Sequence, residues 1–245
     1  MSDPLRIAAV VEGPTDRIFL TSVLRAILGE LSFRLTQLQP EGSAAFGTLG
    51  AGWAGVYRWC HQAAIRGGGR LTADAILFSG FDLLLLQLDA EVAAEHYANG
   101  SITPGAPDLP LPCDRPCPPP KAATDALRKV LLSWCGEATT PPKVIVCIPS
   151  RTMEAWVVAS LFPNDQLVRR GIECLSRPES RLANQPKAKR LKKNQRHYQA
   201  RSAVFQAEWT RLAANGGLEE AHRFDREVRA CVERLRSPGT DVPNR

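Results

Sequence analysis

Short unbroken apolar runs alternate along the first two thirds of the chain with stretches in which apolar residues recur every three or four positions. A run of four to eight apolar residues between turn signals predicts a buried strand, and the longer period predicts a helix packed on one face. Residues 6–11, with Ile7, Ala8, Ala9, Val10 and Val11, form the first such run, and Gly13-Pro14 breaks it. Thr15 is then expected as a helix N-cap with Asp16 in the first turn. Ile18, Phe19, Val23, Leu24, Ile27 and Leu28 share one helical face that stops at Gly29. Residues 32–38 predict a second strand. A glycine-rich stretch over 42–55 and a helix over 53–65 follow, the helix ending at Gly67-Gly68-Gly69. Residues 75–78 fit either period. Residues 83–88 are the clearest buried strand and end at Asp89-Ala90-Glu91. Helical spacing over 122–135, an apolar run over 144–148 and a helix over 152–161 complete this part.

Strands alternating with helices imply an α/β fold, a mostly parallel sheet flanked by helices. Residues 97–120 carry eight prolines and no period, which reads as a surface loop or insertion. After Pro163 the pattern changes. Residues 165–201 hold few large apolar side chains, two amphipathic helices follow near 202–214 and 218–235, and 237–245 reads as a frayed tail. The expected organisation is a domain over 1–163 with the Pro-rich insertion, then a basic, helical C-terminal extension over 164–245.

Charge sharpens this division. The chain carries a net charge of +6. Residues 165–201 hold 11 Lys/Arg against 3 Asp/Glu, a net of +8 that leaves −2 for the rest. A basic segment of this kind suits a phosphate-rich partner, and it also fits a solvated arm. Lys187, Lys189, Arg190, Lys192, Lys193 and Arg196 are the candidate nucleic-acid contacts. No apolar run approaches the ~20 residues that span a bilayer. Glu12 and Asp16 interrupt the first apolar run, which excludes a signal-peptide reading there. Seven scattered cysteines, an odd number, are read as reduced thiols in a cytoplasm.

Open α/β sheets bind ligands at the carboxyl ends of their strands. Glu12 and Asp16 follow the first expected strand, Asp89 and Glu91 the third, and Glu154 lies just beyond the fourth. Each acid taken singly also fits a plain strand-end turn or helix-start charge. Brought together, such carboxylates repel, and a hard divalent cation with oxygen ligands, Mg²⁺ or Mn²⁺, relieves that repulsion.

The segment VVEGPTDRIFL resembles the first motif of TOPRIM domains, an apolar strand ending in Glu-Gly with an acid in the next helix. The segment LLLLQLDAE resembles their second motif, a strand ending in Asp-x-Asp, with Glu91 in place of the second Asp. Asp16 looks most like the OLD-family nuclease branch. IPSRTMEAWVVASLF is similar to a motif of small stand-alone TOPRIM-like proteins encoded beside ATPases in bacterial defence loci. The resemblance covers roughly residues 6–162. It implies that Glu12 is a metal ligand or general base, that Asp89 is catalytic, and that Asp16, Asp89, Glu91 and Glu154 hold Mg²⁺. It further implies a nuclease serving as a defence effector, with DNA or RNA and an ABC/OLD-type ATPase encoded nearby as partners. A non-catalytic TOPRIM-like module that binds nucleic acid or the ATPase is the competing expectation.

Other features carry less. Cys113-x-x-x-Cys117 with His96 lacks the second pair of a zinc site. Cys60 and His61 are helix neighbours that point apart, so Cys60 is expected in the core. Gly67-Gly68-Gly69-Arg70 lacks the Walker spacing and reads as a helix stop. Trp134, Trp156 and Trp209 are expected to pack. His197-Tyr198 is expected either to stack on bases or to make a surface contact.

Overall fold

The computed structural model of the chain describes residues 3–41, 49–186, 190–214 and 218–237. Lys187 and Lys189, half of the glycine-rich stretch and the end of the tail lie outside the described residues. In chain order the α/β part comprises β1 (Leu5–Val10), α1 (Pro14–Leu28), β2 (Phe33–Gln39), α2 (Gly52–Arg66), α3 (Ala75–Gly80), β3 (Leu83–Gln87), α4 (Pro120–Trp134), β4 (Val144–Cys147) and α5 (Glu154–Leu161). The strands form one sheet in the order β2-β1-β3-β4, and every neighbouring pair is parallel. The expected α/β class with a parallel sheet flanked by helices is therefore what the chain adopts. Residues 75–78, which fitted either period, are helical, and Asp74 accepts the Leu77 N–H at the start of α3.

Strand side chains alternate between faces, and the register keeps three strands in phase. Ala9 pairs with Leu85, and Leu85 with Ile145. Ile7, Ala9, Leu83, Leu85, Ile145 and Cys147 therefore enter one core, and Ala8, Val10, Leu84, Leu86, Val144 and Val146 enter the other. Both faces are covered, which explains why β1, β3 and β4 read as continuous apolar runs. α2 and α4 cover the second face, with Trp134 buried among Trp53, Tyr57 and Tyr97.

α1 and α5 cover the first face together with the segment after Pro163. That segment holds α6 (Gln166–Arg169), α7 (Glu179–Ala183), α8 (Gln195–Gln199), α9 (Ser202–Ala214) and α10 (Glu219–Arg236). Val168, Ile172, Leu182, Leu191 and Tyr198 are all buried there, so the basic stretch is anchored at intervals by single apolar residues. Trp209 of α9 meets Phe19 of α1 at 6.3 Å and Trp156 of α5 at 5.5 Å between ring centroids. Residues 164–237, as far as they are described, share one core with the sheet.

The Pro-rich segment over 97–120 runs mainly without regular structure and is fastened to α2 and α4. Asp108 accepts the Tyr57 hydroxyl at 2.8 Å and pairs with His61 at 2.9 Å, and Trp134 Nε1 donates to the Tyr97 hydroxyl. Cys117 is disulfide-bonded to Cys174, so the expectation of uniformly reduced thiols is corrected. The two cysteines are 57 residues apart, and only the packing of the segment after Pro163 brings their Cα atoms to 5.4 Å. The bond also takes Cys117 away as a thiolate partner of Cys113 for zinc. Cys60, Cys113, Cys135, Cys147 and Cys231 are free thiols, and Cys60 is fully buried as expected. Among the described residues no helix is long and apolar enough to cross a membrane.

Trp209→Ala should destabilise the fold by about 3–5 kcal/mol, the usual cost of emptying a large buried aromatic site. Trp209 is fully buried and its Nε1 donates to Asp225 at 3.1 Å, so the substitution also removes one donor from a carboxylate that keeps only its ion pair with Arg229. Urea unfolding measures the effect. A loss below ~1 kcal/mol would mean that α9 and α10 are peripheral to the core.

Candidate functional site

β1 and β3 both leave the sheet at the same edge, and a buried glutamine joins them. Gln87, at the end of the apolar run of β3, is fully buried. Its Oε1 accepts the Glu12 N–H at 3.0 Å and its Nε2 donates to Asp89 Oδ1 at 2.9 Å. The Asp89 N–H in turn donates to Glu12 Oε1 at 2.6 Å. These bonds take over where the strand ladder stops, so the backbone groups of both strand ends remain paired. The connection after β4 completes the frame. Pro149 O accepts the Ala90 N–H, Arg151 O accepts the Glu91 N–H, and the Met153 N–H donates to Asp89 Oδ1 at 3.1 Å. Arg151 adopts a left-handed backbone, φ 64°, a conformation uncommon for a residue with a Cβ.

α1 starts differently from the expectation. Gly13 is its N-cap and Pro14 is in the first turn, which leaves Thr15 inside the helix. Proline suits that position because its missing N–H has no helical partner there. A Cβ on Gly13 would meet Asp16 Oδ2 at 3.2 Å, so the glycine leaves room for this buried carboxylate.

Glu12, Asp16, Asp89 and Glu91 line one cleft of about 510 Å³, together with Gly52 and with Lys193 from the basic segment. Glu154, at the start of α5, is buried behind the cleft. Its Oε1 takes the Lys193 ammonium at 2.7 Å and the Tyr198 hydroxyl at 3.4 Å. Five carboxylates thus surround one ammonium. Burial, with repulsion from Asp16 and Glu91, pushes Glu12 up to about 8, against the Asp89 N–H that favours its ionised form. Burial and repulsion from Glu154 push Asp16 to about 7. Asp89 is held well above the usual carboxylate range by burial and by Glu12, Asp16 and Glu154. Glu91, the most exposed of the set, is shifted the same way by burial and Glu154. Burial works to lower the Lys193 pKa, and Glu154 overrides it, so the ammonium is retained.

The donor set is all oxygen, which suits Mg²⁺ or Mn²⁺ rather than zinc. Among the described residues no three His, Cys, Asp or Glu side chains converge on one metal position. Mg²⁺ does not require three, because it binds through one or two carboxylates and keeps its waters. Glu12 and Asp89 each have one oxygen engaged, and among the described residues the other accepts no hydrogen bond. The residues therefore fit a hydrated hard cation.

Arg190, Lys192 and Arg196 are exposed and make no ion pair among the described residues, unlike Lys193. Tyr198 is almost fully buried against Phe205, so the stacking role on bases is corrected; the phenol packs inward because its hydroxyl reaches Glu154. The sequence reading missed Gln87. Its only signal was a lone amide inside LLLLQL, a position where an unpartnered polar group is costly and a paired one carries specificity. Compared with known proteins, the chain matches no family model, no curated protein and no solved structure.

These carboxyls ionise at higher pH in the folded chain than in the unfolded one. Their contribution to stability is full below the unfolded pKa of about 4 and is lost as pH rises through the folded value. Metal-free protein should therefore lose stability between pH 5 and pH 8. Asp89→Asn keeps an oxygen for Gln87 and Met153 without the charge. It should gain on wild type as pH rises, by up to about 1.4 kcal/mol per pH unit. Thermal melts in EDTA across this range provide the check, and a gap that does not change with pH would show that Asp89 is not crowded by its neighbours.

Proposed function

We propose that this chain is a Mg²⁺- or Mn²⁺-dependent nuclease of the TOPRIM type, acting in the cytoplasm as the effector of a bacterial anti-phage defence system. The observation that carries the reading is a cleft lined by four carboxylates with upward-shifted pKa values, flanked by an exposed basic segment. Glu12 and Asp89 would hold the cation, with Asp16 and Glu91 beside them. Once bound, the ion would supply charge stabilisation for phosphodiester hydrolysis. With a cation bound, Glu12 would be drawn back to its ionised form, and as a carboxylate it would hold the ion or accept a proton from water. The Lys193 ammonium lies at the same cleft and would face a phosphate, while Arg190, Lys192 and Arg196 would follow the backbone of DNA or RNA. Lys187 and Lys189 belong to the same basic run. An ABC/OLD-type ATPase encoded nearby is the proposed protein partner, on the strength of the family resemblance.

A second reading, a non-catalytic module that binds nucleic acid or the ATPase, draws on the want of three converging metal ligands among the described residues. Catalysis separates the two. Asp89→Ala should lower Mg²⁺- or Mn²⁺-dependent cleavage by roughly a thousandfold, with and without an ABC-type ATPase present, since each 1.36 kcal/mol of lost transition-state stabilisation is a factor of ten. Cleavage by the variant at the wild-type rate would remove Asp89 from the mechanism. A wild type that binds nucleic acid but never cleaves it would favour the second reading.

Binding has its own signature. Displacing condensed counterions makes log affinity fall linearly with log salt, with a slope that changes by about 0.7–0.9 per phosphate contact. Reversing Arg190, Lys192 and Arg196 to glutamate should flatten that slope by two or more. A slope equal to that of wild type would mean that the basic segment is merely solvated.

A further inference from the structure

Glu154 differs from the other four acids in what it touches. Glu12, Asp16, Asp89 and Glu91 line the cleft, whereas the Glu154 side chain is 3% exposed and lies behind it. One of its oxygens takes two partners, Lys193 Nζ at 2.7 Å and the Tyr198 hydroxyl at 3.4 Å. Lys193 is the reverse case: its side chain is 59% exposed and belongs to the cleft wall. The stretch carrying Lys193 has no helix of its own. It is pinned by buried Leu191 on one side and by α8 on the other, where Asn194 Oδ1 accepts the His197 N–H. The backbone thus delivers the lysine to the cleft, and a buried carboxylate restrains its flexible tip.

We propose that Glu154 is a positioning residue that aims the Lys193 ammonium into the cleft toward a phosphate of the bound strand, and that it is not a metal ligand. This rests on the reading of the cleft as a phosphodiester site. The physical argument has two parts. A lysine head on a four-carbon stem samples many rotamers, and a fixed charge partner removes that freedom before substrate arrives. An ammonium already in contact with the carboxylate also repels a second cation from the same oxygen. Tyr198 donates to the same oxygen and so holds the carboxylate toward the lysine.

Two titrations on the full chain test this, with Mn²⁺ alone and with a fluorescent oligonucleotide in EDTA. Glu154→Gln should bind Mn²⁺ within about twofold of wild type, whereas Asp89→Asn should weaken it by tenfold or more. Glu154→Gln and Lys193→Gln should each weaken the oligonucleotide by about tenfold, and the double variant should be no weaker than either, because one interaction is lost only once. Tyr198→Phe, which removes only the hydroxyl, should show a smaller effect in the same direction and vanish in the Lys193→Gln background. Melting curves confirm that each variant is folded, and Tyr198→Phe carries the oligonucleotide test if Glu154→Gln is not. A tenfold loss of Mn²⁺ affinity in Glu154→Gln, or effects that add in the double variant, would overturn the inference alone. A wild-type chain that binds neither Mn²⁺ nor the oligonucleotide would overturn the reading of the cleft as well.

Discussion

Two parallel strands that end side by side must dispose of their last backbone groups and of whatever side chains follow. Here both are followed by acids, and the chain meets the double requirement with Gln87. Its amide accepts from the backbone at Glu12 and donates to the carboxylate of Asp89. Without that bridge, the N–H of Glu12 would lose its partner and Asp89 would lose a donor favouring its charge. Desolvating either group unpaired costs about 1–3 kcal/mol. The remaining features of the site lean on this stitch. The Asp89 N–H reaches Glu12, the connection after β4 closes on Ala90 and Glu91, and α1 delivers Asp16 from the other side.

The segment after Pro163 contributes to the same site while serving another purpose. Its aromatic residues, Phe205, Trp209 and Phe224, fill the core over one face of the sheet. The same run of chain carries Lys193 to the carboxylates. Packing and electrostatics are therefore coupled. The ammonium that offsets five acids keeps its place because Leu191 and Tyr198 are buried on either side of it.

The parallel sheet and its carboxyl-edge acids were legible because each rests on a local pattern. A strand buried on both faces is apolar throughout, and acids just beyond it stand out. What stayed hidden depends on contacts distant in sequence. Tyr198 reads as a surface aromatic among cations until α1, α5 and α9 surround it. Cys117 and Cys174 show no pairing until the basic stretch packs on the sheet. The basic stretch looked too polar to join a core, because one buried residue every several positions makes no period. Thr15 was misplaced for a local reason: Pro14 competes for the first turn and moves the cap to Gly13. Gln87 was passed over because an apolar run hides a single amide, although that amide has the most specific bonding of any residue in the strand.

Among the described residues β4 has a sheet neighbour on one side only. On the other, side chains from two helices reach its carbonyls, with Arg128 Nη2 donating to Val146 O at 3.1 Å and the Cys231 thiol lying 3.8 Å from Val144 O. An outer strand of this kind would ordinarily be the first to fray. The Cys117–Cys174 bond encloses α4, β4 and α5 in a covalent ring. On the chain-entropy account a ring of this size lowers the freedom of the unfolded chain by an amount worth about 4 kcal/mol. The ring also contains the turn that supplies the Met153 N–H to Asp89. Cys117 Sγ lies 3.6 Å from Ser150 Oγ, on the connection whose backbone bonds to Asp89 and Glu91, so a reductant that opens the disulfide would also loosen the frame that holds these carboxylates.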